Sequence, residues 1–175
     1  MAKLGWNNKQ KGQLLIEAMV AVSLMLVGLL GIFGVLSRSL GLSRVAADQF
    51  VAVNLASEGI EIAKNLLDSN LKQGLAWNAN FVDGENVPVG YLSSALDGAG
   101  SCEGPELYLD PATGFYTCEA ITGVSSRFSR VLDIETELSG ERINVISTVT
   151  WKVRGGFDSS VTVEDHFYNW RDLRG

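Results

Sequence analysis

Two patterns of apolar positions follow one another along the chain, and a third replaces them near its end. From Leu14 to Leu36 every residue is apolar or glycine except Glu17 and Ser23. As a helix this run rises about 35 Å, enough to cross a bilayer core of about 30 Å. From Ser37 to Lys72 there is no proline. In that stretch Ala46, Gln49, Val53, Ala56, Ile60, Ala63, Leu67 and Leu71 recur at three- and four-residue spacings, which is one helical stripe. Asp48, Glu58, Glu61 and Lys64 mostly fall off it, and Glu61 and Lys64 stand where they can pair at i, i+3. Such a stripe needs a surface to lie on, and a downstream sheet is the obvious candidate. The two patterns together predict one near-continuous helix from Gln13 to Leu71, about 90 Å long.

The segment 73–117 has little periodicity and many turn residues. Asp83-Gly84, Asp97-Gly98, Gly100 and Pro111-Ala112-Thr113-Gly114 punctuate it. It reads as a long loop region with at most one short strand. The segment 118–170 reads as antiparallel sheet. Phe128, Leu132, Ile134 and Leu138 fall on one face of a first strand, and Ser139-Gly140 signals a turn. Ile143, Val145, Ser147, Val149, Trp151 and Val153 alternate with polar positions in a second strand. Arg154-Gly155-Gly156 turns the chain again, and a third strand places Val161, Val163 and Phe167 on one face and His166, Tyr168 and Trp170 on the other. Short turns between neighbours give a meander. These aromatics are either an assembly or ligand surface or packed against a loop. The fold class expected is α+β.

Glu17 is the oddity of the first run. A lone carboxylate inside a membrane span costs roughly 3 kcal/mol near the centre and less near an end, so it is a functional candidate that needs a partner. The stretch Gly12-Gln13-Leu14-Leu15-Ile16-Glu17 resembles the class III signal of type IV prepilins and pseudopilins. That family has a short basic leader, a glycine before the cut, a glutamate five residues into the mature chain and an unbroken hydrophobic helix. All four features occur here in order, over about the first 60 residues. The resemblance implies a leader of residues 1–12, cleavage between Gly12 and Gln13 by a prepilin peptidase, and N-methylation of Gln13. It implies that residues 13–36 serve first as a membrane span and then as a filament core, with 37–72 continuing the helix onto a globular domain of 73–175. That is the pilin lollipop. Gln13 departs from the phenylalanine usual after the cut. Leu15 stands where archaeal pilins usually carry serine, which favours a bacterial host. By the same resemblance Glu17 pairs with the N-terminal amine of its own or a neighbouring subunit.

Other readings of the N-terminus are weaker on physical grounds. Lys3, Lys9 and Lys11 before an apolar run also suit a secretory signal, but a secretory h-region is about 7–15 residues and this run is longer. A plain signal anchor has no use for Glu17. Gly28, Gly31 and Gly34 recur every three residues, which suits close helix packing, a weak point in the helix, or simply the abundance of glycine in membrane helices.

Charge and cysteine narrow the picture further. The chain carries net −6, and removing the three leader lysines leaves −9, which argues against a general nucleic-acid surface. Those lysines favour a cytoplasmic N-terminus, while Arg38 and Arg44 beyond the run weaken that bias. With the C-terminal domain outside the inner membrane, Cys102 and Cys118 meet an oxidising environment. A bridge between them would close a loop of about 17 residues, worth on the order of 3 kcal/mol; two free buried cysteines are the alternative. A calcium site is open to the loop acids Asp83, Glu85, Asp97 and Asp110, but no EF-hand spacing is present and solvated acids are the simpler account.

No phosphate loop, nucleophile elbow or metal cluster is legible, and His166 is the only histidine, so no enzyme and no cofactor is expected. The expected partners are other pilin subunits, the prepilin peptidase, an inner-membrane assembly platform, and the membrane itself before assembly. Three functions stay open: a pilin or minor pilin of a type IV pilus, a pseudopilin of a type II secretion system, or a single-pass anchored binding domain that never polymerises.

Overall fold

In a computed structural model, which describes residues 8–96, 102–118, 120, 124–153 and 155–170, both helical patterns fall within one unbroken helix, α1 (Asn8–Gln73). Lys3, Asp97, Gly98, Gly100 and Arg154 lie outside the described residues. The chain divides after Ala46 into two units. Helical structure begins earlier than the expected Gln13, because nothing in Asn8–Lys11 opposes a helix and only Gly12 is a weak former. At the other end the helix closes with a Schellman motif. Gly74 takes φ +72°, its N–H donates to the Leu71 carbonyl, and the Leu75 N–H donates to the Asn70 carbonyl.

In the first unit every residue from Gly12 to Ala46 is exposed. α1 contains the one stretch, among the described residues, long and apolar enough to cross a membrane. A helix apolar on all sides has no preferred face for a soluble core, and it suits lipid or other helices. The single hydroxyl in the run is satisfied locally: Ser23 Oγ donates to the Met19 carbonyl at 2.7 Å.

The second unit holds the later part of α1 and a six-stranded antiparallel sheet. The strands are β1 (Gly84–Pro88), β2 (Glu106–Leu109), β3 (Tyr116–Thr117), β4 (Val124–Glu137), β5 (Arg142–Lys152) and β6 (Asp158–Tyr168). The order is β3-β2-β4-β5-β6, and β1 also pairs with β4. β4 is the centre. One of its edges is shared end to end by β2, which pairs near Val124–Ser129, and β1, which pairs near Val131–Ile134. Its other edge pairs with β5 from Phe128↔Trp151 to Glu137↔Arg142. β6 pairs with β5 over its full length, from Arg142↔Tyr168 to Lys152↔Asp158. The meander of β4, β5 and β6 agrees with the sequence pattern. The segment 73–117 does not, because it supplies three strands rather than at most one. Those strands are two to five residues long and are held by backbone pairing alongside β4, so they carry no alternation to read.

Two expectations about faces need correction. Leu138 is 60% exposed, with φ +55°, in a 3-10 turn (Leu138–Gly140), because the chain leaves β4 at Glu137. The inward face of β4 is therefore Phe128, Arg130, Leu132 and Ile134. On α1 the buried face is Ala52, Leu55, Ala56, Gly59, Ile60, Ile62, Ala63, Leu67 and Asn70, while Ala46, Gln49 and Val53 are exposed. Small residues set this choice. A Cβ added at Gly59 would stand 2.4 Å from Ser147 Oγ and 3.2 Å from Leu132 Cδ2, so the helix axis comes closest to the sheet there. Two apolar clusters flank that approach. Leu55, Ala56, Phe128, Val149 and Trp151 belong to one; Ile60, Ala63, Leu67, Leu132, Ile134, Ile143 and Val145 belong to the other.

Candidate functional site

Of the residues singled out at the N-terminus, Gly12, Gln13 and Glu17 lie on α1. Gln13 and Glu17 are four apart, so they share a helix face one turn from each other, with about 5–6 Å between Cβ atoms. Leu14, Leu15, Ile16, Met19 and Val20 surround Glu17 and are exposed. Among the described residues no cation stands within salt-bridge distance of Glu17. A Cβ at Gly12 would meet nothing within 4 Å, so packing within the chain does not demand glycine there. Asn8–Gly12 currently supplies the carbonyls that cap the next turn. A chain starting at Gln13 would leave the first four N–H groups of its helix without intrahelical acceptors and place a positive dipole end and an amine close to Glu17.

Cys102 and Cys118 form a disulfide, with Cα atoms 5.3 Å apart. It joins the segment before β2 to the residue after β3, so the two smallest strands are covalently tied. Gly90 packs against it: a Cβ there would stand 2.6 Å from Cys118 Sγ. The intervening turn is fixed by Asp110, whose carboxylate accepts from the Ala112 N–H and the Thr113 hydroxyl, each at 2.8 Å. The Ala112 N–H and then the Thr113 hydroxyl hold its pKa below the usual 3.8.

The most constrained polar residue was not singled out by its sequence context. Arg130 is 0% exposed and sits on the inward face of β4. Its Nη1 donates to the Leu55 carbonyl of α1 at 3.0 Å, and its Nε and Nη2 donate to the Val89 carbonyl just after β1 at 3.3 and 3.1 Å. Glu58 Oε2 lies 3.4 Å from Nη1. Burial pushes the guanidinium pKa down, and the Glu58 carboxylate opposes that. Arg130 thus links helix, central strand and the β1 segment at one point, between the two apolar clusters. The signal was available: an arginine occupies an inward position of the alternation from Phe128 to Ile134. Asn70 is a second such residue. It is buried, and its side-chain amide donates to the Trp77 and Ala79 carbonyls, which fixes the path out of α1.

The remaining candidates are dispersed. Asp83 accepts the Thr136 N–H at 2.8 Å, and Asp110 belongs to its own turn. His166 lies exposed on β6, 3.5 Å from Glu164, and Tyr168 and Trp170 are about half exposed rather than covered by a loop. Glu61 and Lys64 do pair, at 3.6 Å on the solvent side of α1. Among the described residues no three of His, Cys, Asp and Glu gather closely enough to hold a metal ion. Compared with known proteins, the chain finds no matching family model, curated protein or solved structure.

Proposed function

We propose that this chain is a structural subunit of a type IV pilus-like filament, a pilin or minor pilin, cut after Gly12 and assembled through α1. One observation carries the reading: within an unbroken helix, the apolar run from Leu14 to Leu36 holds a single carboxylate, Glu17, one turn from Gln13 and shortly after Gly12.

The chemistry follows from the helix terminus. Before cutting, α1 anchors the chain in a membrane as a single span. Cutting exposes the Gln13 amine. When apolar helices bundle, that amine and Glu17 are tolerable in the apolar interior only as a pair, within one subunit or between neighbours. Removing one partner of a buried pair costs roughly 3–5 kcal/mol. A subunit offset along the bundle leaves both charges unmatched, so the pair also sets register. A pseudopilus of a type II secretion system would use the same chemistry.

The test is intact mass and N-terminal sequencing of the protein taken from its host membranes. A chain beginning at Gln13 with one added methyl group is the expected result. A chain beginning at Met1 or Ala2 would overturn the reading and leave a membrane-anchored domain. For the cut protein, Glu17→Ala is expected to be processed normally yet enter filaments poorly, read as the sheared-filament to membrane ratio by immunoblot. Normal incorporation would remove the pairing.

A further inference from the structure

The sheet has one long open edge. β6 is the last strand in the order, eleven residues long, and its register with β5 runs unbroken from Arg142↔Tyr168 to Lys152↔Asp158. Backbone parity fixes which of its groups are left over. Just outside the two ends of the pairing, the Val153 N–H donates to the Phe157 carbonyl and the Asn169 N–H donates to the Glu141 carbonyl, so the odd-numbered residues of β6 bond toward β5. The N–H and C=O groups of Ser160, Thr162 and Glu164 therefore point to the outer edge, and among the described residues no strand pairs with them. Asp158, Ser160, Thr162, Glu164, Asp165 and His166 are all exposed, which keeps that edge open to solvent.

Such an edge is a template for another strand, and proteins ordinarily blunt it with proline, lysine, a bulge or an inward-pointing charge. Over Asp158–Tyr168 there is no proline, no lysine and no shift of register. The one inward-pointing charge is Asp165, in register with Val145, and it guards one end only. Its Oδ1 accepts the His166 N–H at 2.8 Å, so the edge is open from Asp158 through Glu164 and closed at His166.

The residues of the strand select its partner. In a second, antiparallel copy of β6 with the two-fold axis at Thr162, Asp158 faces His166, Ser160 faces Glu164 and Val161 faces Val163, each pair occurring twice. No acid faces an acid, the valines extend the half-buried apolar row, and the ladder ends at the N–H that is already taken. Moving the axis by one residue loses this match. At Val161, Asp158 would face Glu164; at Val163, Asp165 would face Val161 and the occupied His166 N–H would fall inside the ladder.

We infer that β6 is an interface for a second copy of this chain, joined edge to edge about a two-fold axis at Thr162. A pairing of this kind uses the same groups on both sides and closes at two copies. No residue of the N-terminal segment takes part, so the interface stands or falls independently of cleavage and filament assembly.

The experiment uses the full-length protein in detergent micelles under mild oxidation with copper phenanthroline, read on non-reducing gels. Thr162→Cys is expected to give a covalent dimer, because residues opposite each other in a bonded pair have Cα atoms about 5.5 Å apart, within reach of a disulfide. Ser160→Cys and Glu164→Cys alone should each link at least tenfold more slowly, since each stands about 14 Å along the strands from its own counterpart. Mixed together, those two should link at a rate comparable to Thr162→Cys. Adding Thr162→Lys to both should slow the mixed pair at least tenfold, and Thr162→Lys in one with Thr162→Asp in the other should restore it. All three positions are exposed, so these changes leave the fold intact. The inference is overturned if Thr162→Cys fails to link, if Ser160→Cys alone links as fast, or if the opposite charges do not restore the mixed pair.

Discussion

Replacing Arg130 tests how the helix is held to the sheet. Arg130→Met keeps most of the side-chain length but removes every donor. The Leu55 carbonyl keeps its ordinary helical bond, so the Val89 carbonyl is the group left short, having lost two donors. An unsatisfied buried acceptor costs about 1–3 kcal/mol, and each bond from a charged donor contributes roughly 1.5–3 kcal/mol. Against this, the buried cation no longer has to be desolvated, which returns several kcal/mol. The expected net loss is about 2 kcal/mol. Arg130→Ala adds a cavity between the two apolar clusters, and its expected loss is about 4 kcal/mol. Glu58→Gln removes the facing carboxylate, but Glu58 is 34% exposed, so that pair is discounted to about 1 kcal/mol or less. The assay is thermal unfolding of the full chain in micelles followed by fluorescence of buried Trp151, since helical signal from α1 would mask the sheet. At roughly 4 °C per kcal/mol for a unit of this size, Arg130→Met should melt about 8 °C lower. A variant as stable as the parent would refute the reasoning, because desolvation would then cancel the hydrogen bonds. A Glu58→Gln loss larger than that of Arg130→Met would refute it differently, by placing the hold in the ion pair.

Three further outcomes are expected. Gly59→Val should cost roughly 2–3 kcal/mol by driving a side chain into Ser147 and Leu132, and Ser147→Gly should recover part of it; additive losses in the double variant, read by urea unfolding, would show the close approach to be irrelevant. Replacing Cys102 and Cys118 together by serine should lower stability by about 3 kcal/mol, and a melting temperature unmoved by the change or by reductant would contradict it. The Asp110 turn is linked to acid: its carboxylate pKa is depressed when folded, so its contribution is complete above the unfolded value of 3.8 and fades as pH falls through the lower folded value. Protection of the Ala112 amide against exchange, taken relative to its intrinsic rate at each pH, should therefore fall below about pH 4 in the parent and be lost at every pH in Asp110→Ala.

The elements with a repeating pattern were the ones legible in the sequence. β5 alternates cleanly from Ile143 to Trp151, and the positions the alternation names are buried there, with Asn144 buried in addition. The apolar run and the helical stripe likewise gave a long helix ending near Lys72, though with the stripe turned. Hydrophobicity ranks Val53 above Ala52, whereas the sheet selects the small residues that allow close approach. β1, β2 and β3 were not legible because β1 and β2 are fixed by pairing with β4, and β3 by pairing with β2 and by the disulfide beside it, and these are long-range facts. Arg130 and Asn70 were missed for a related reason. Each is a polar residue whose importance comes from burial, and composition treats a charged or amide side chain as surface.

The order in which the chain is made bears on the helix face described above. Residues 52–67 of α1 are synthesised early, and the β4 and β5 residues that cover them run from Phe128 to Trp151, so the cover is complete only more than 80 positions later. At translation rates of about 5–20 residues per second, that face waits on the order of 4–16 seconds for its cover. β4, β5 and β6 need only their neighbours and can pair as they emerge. The newborn chain therefore carries a bare apolar stripe beside a sheet still being made, which is the window in which a chaperone would have to act.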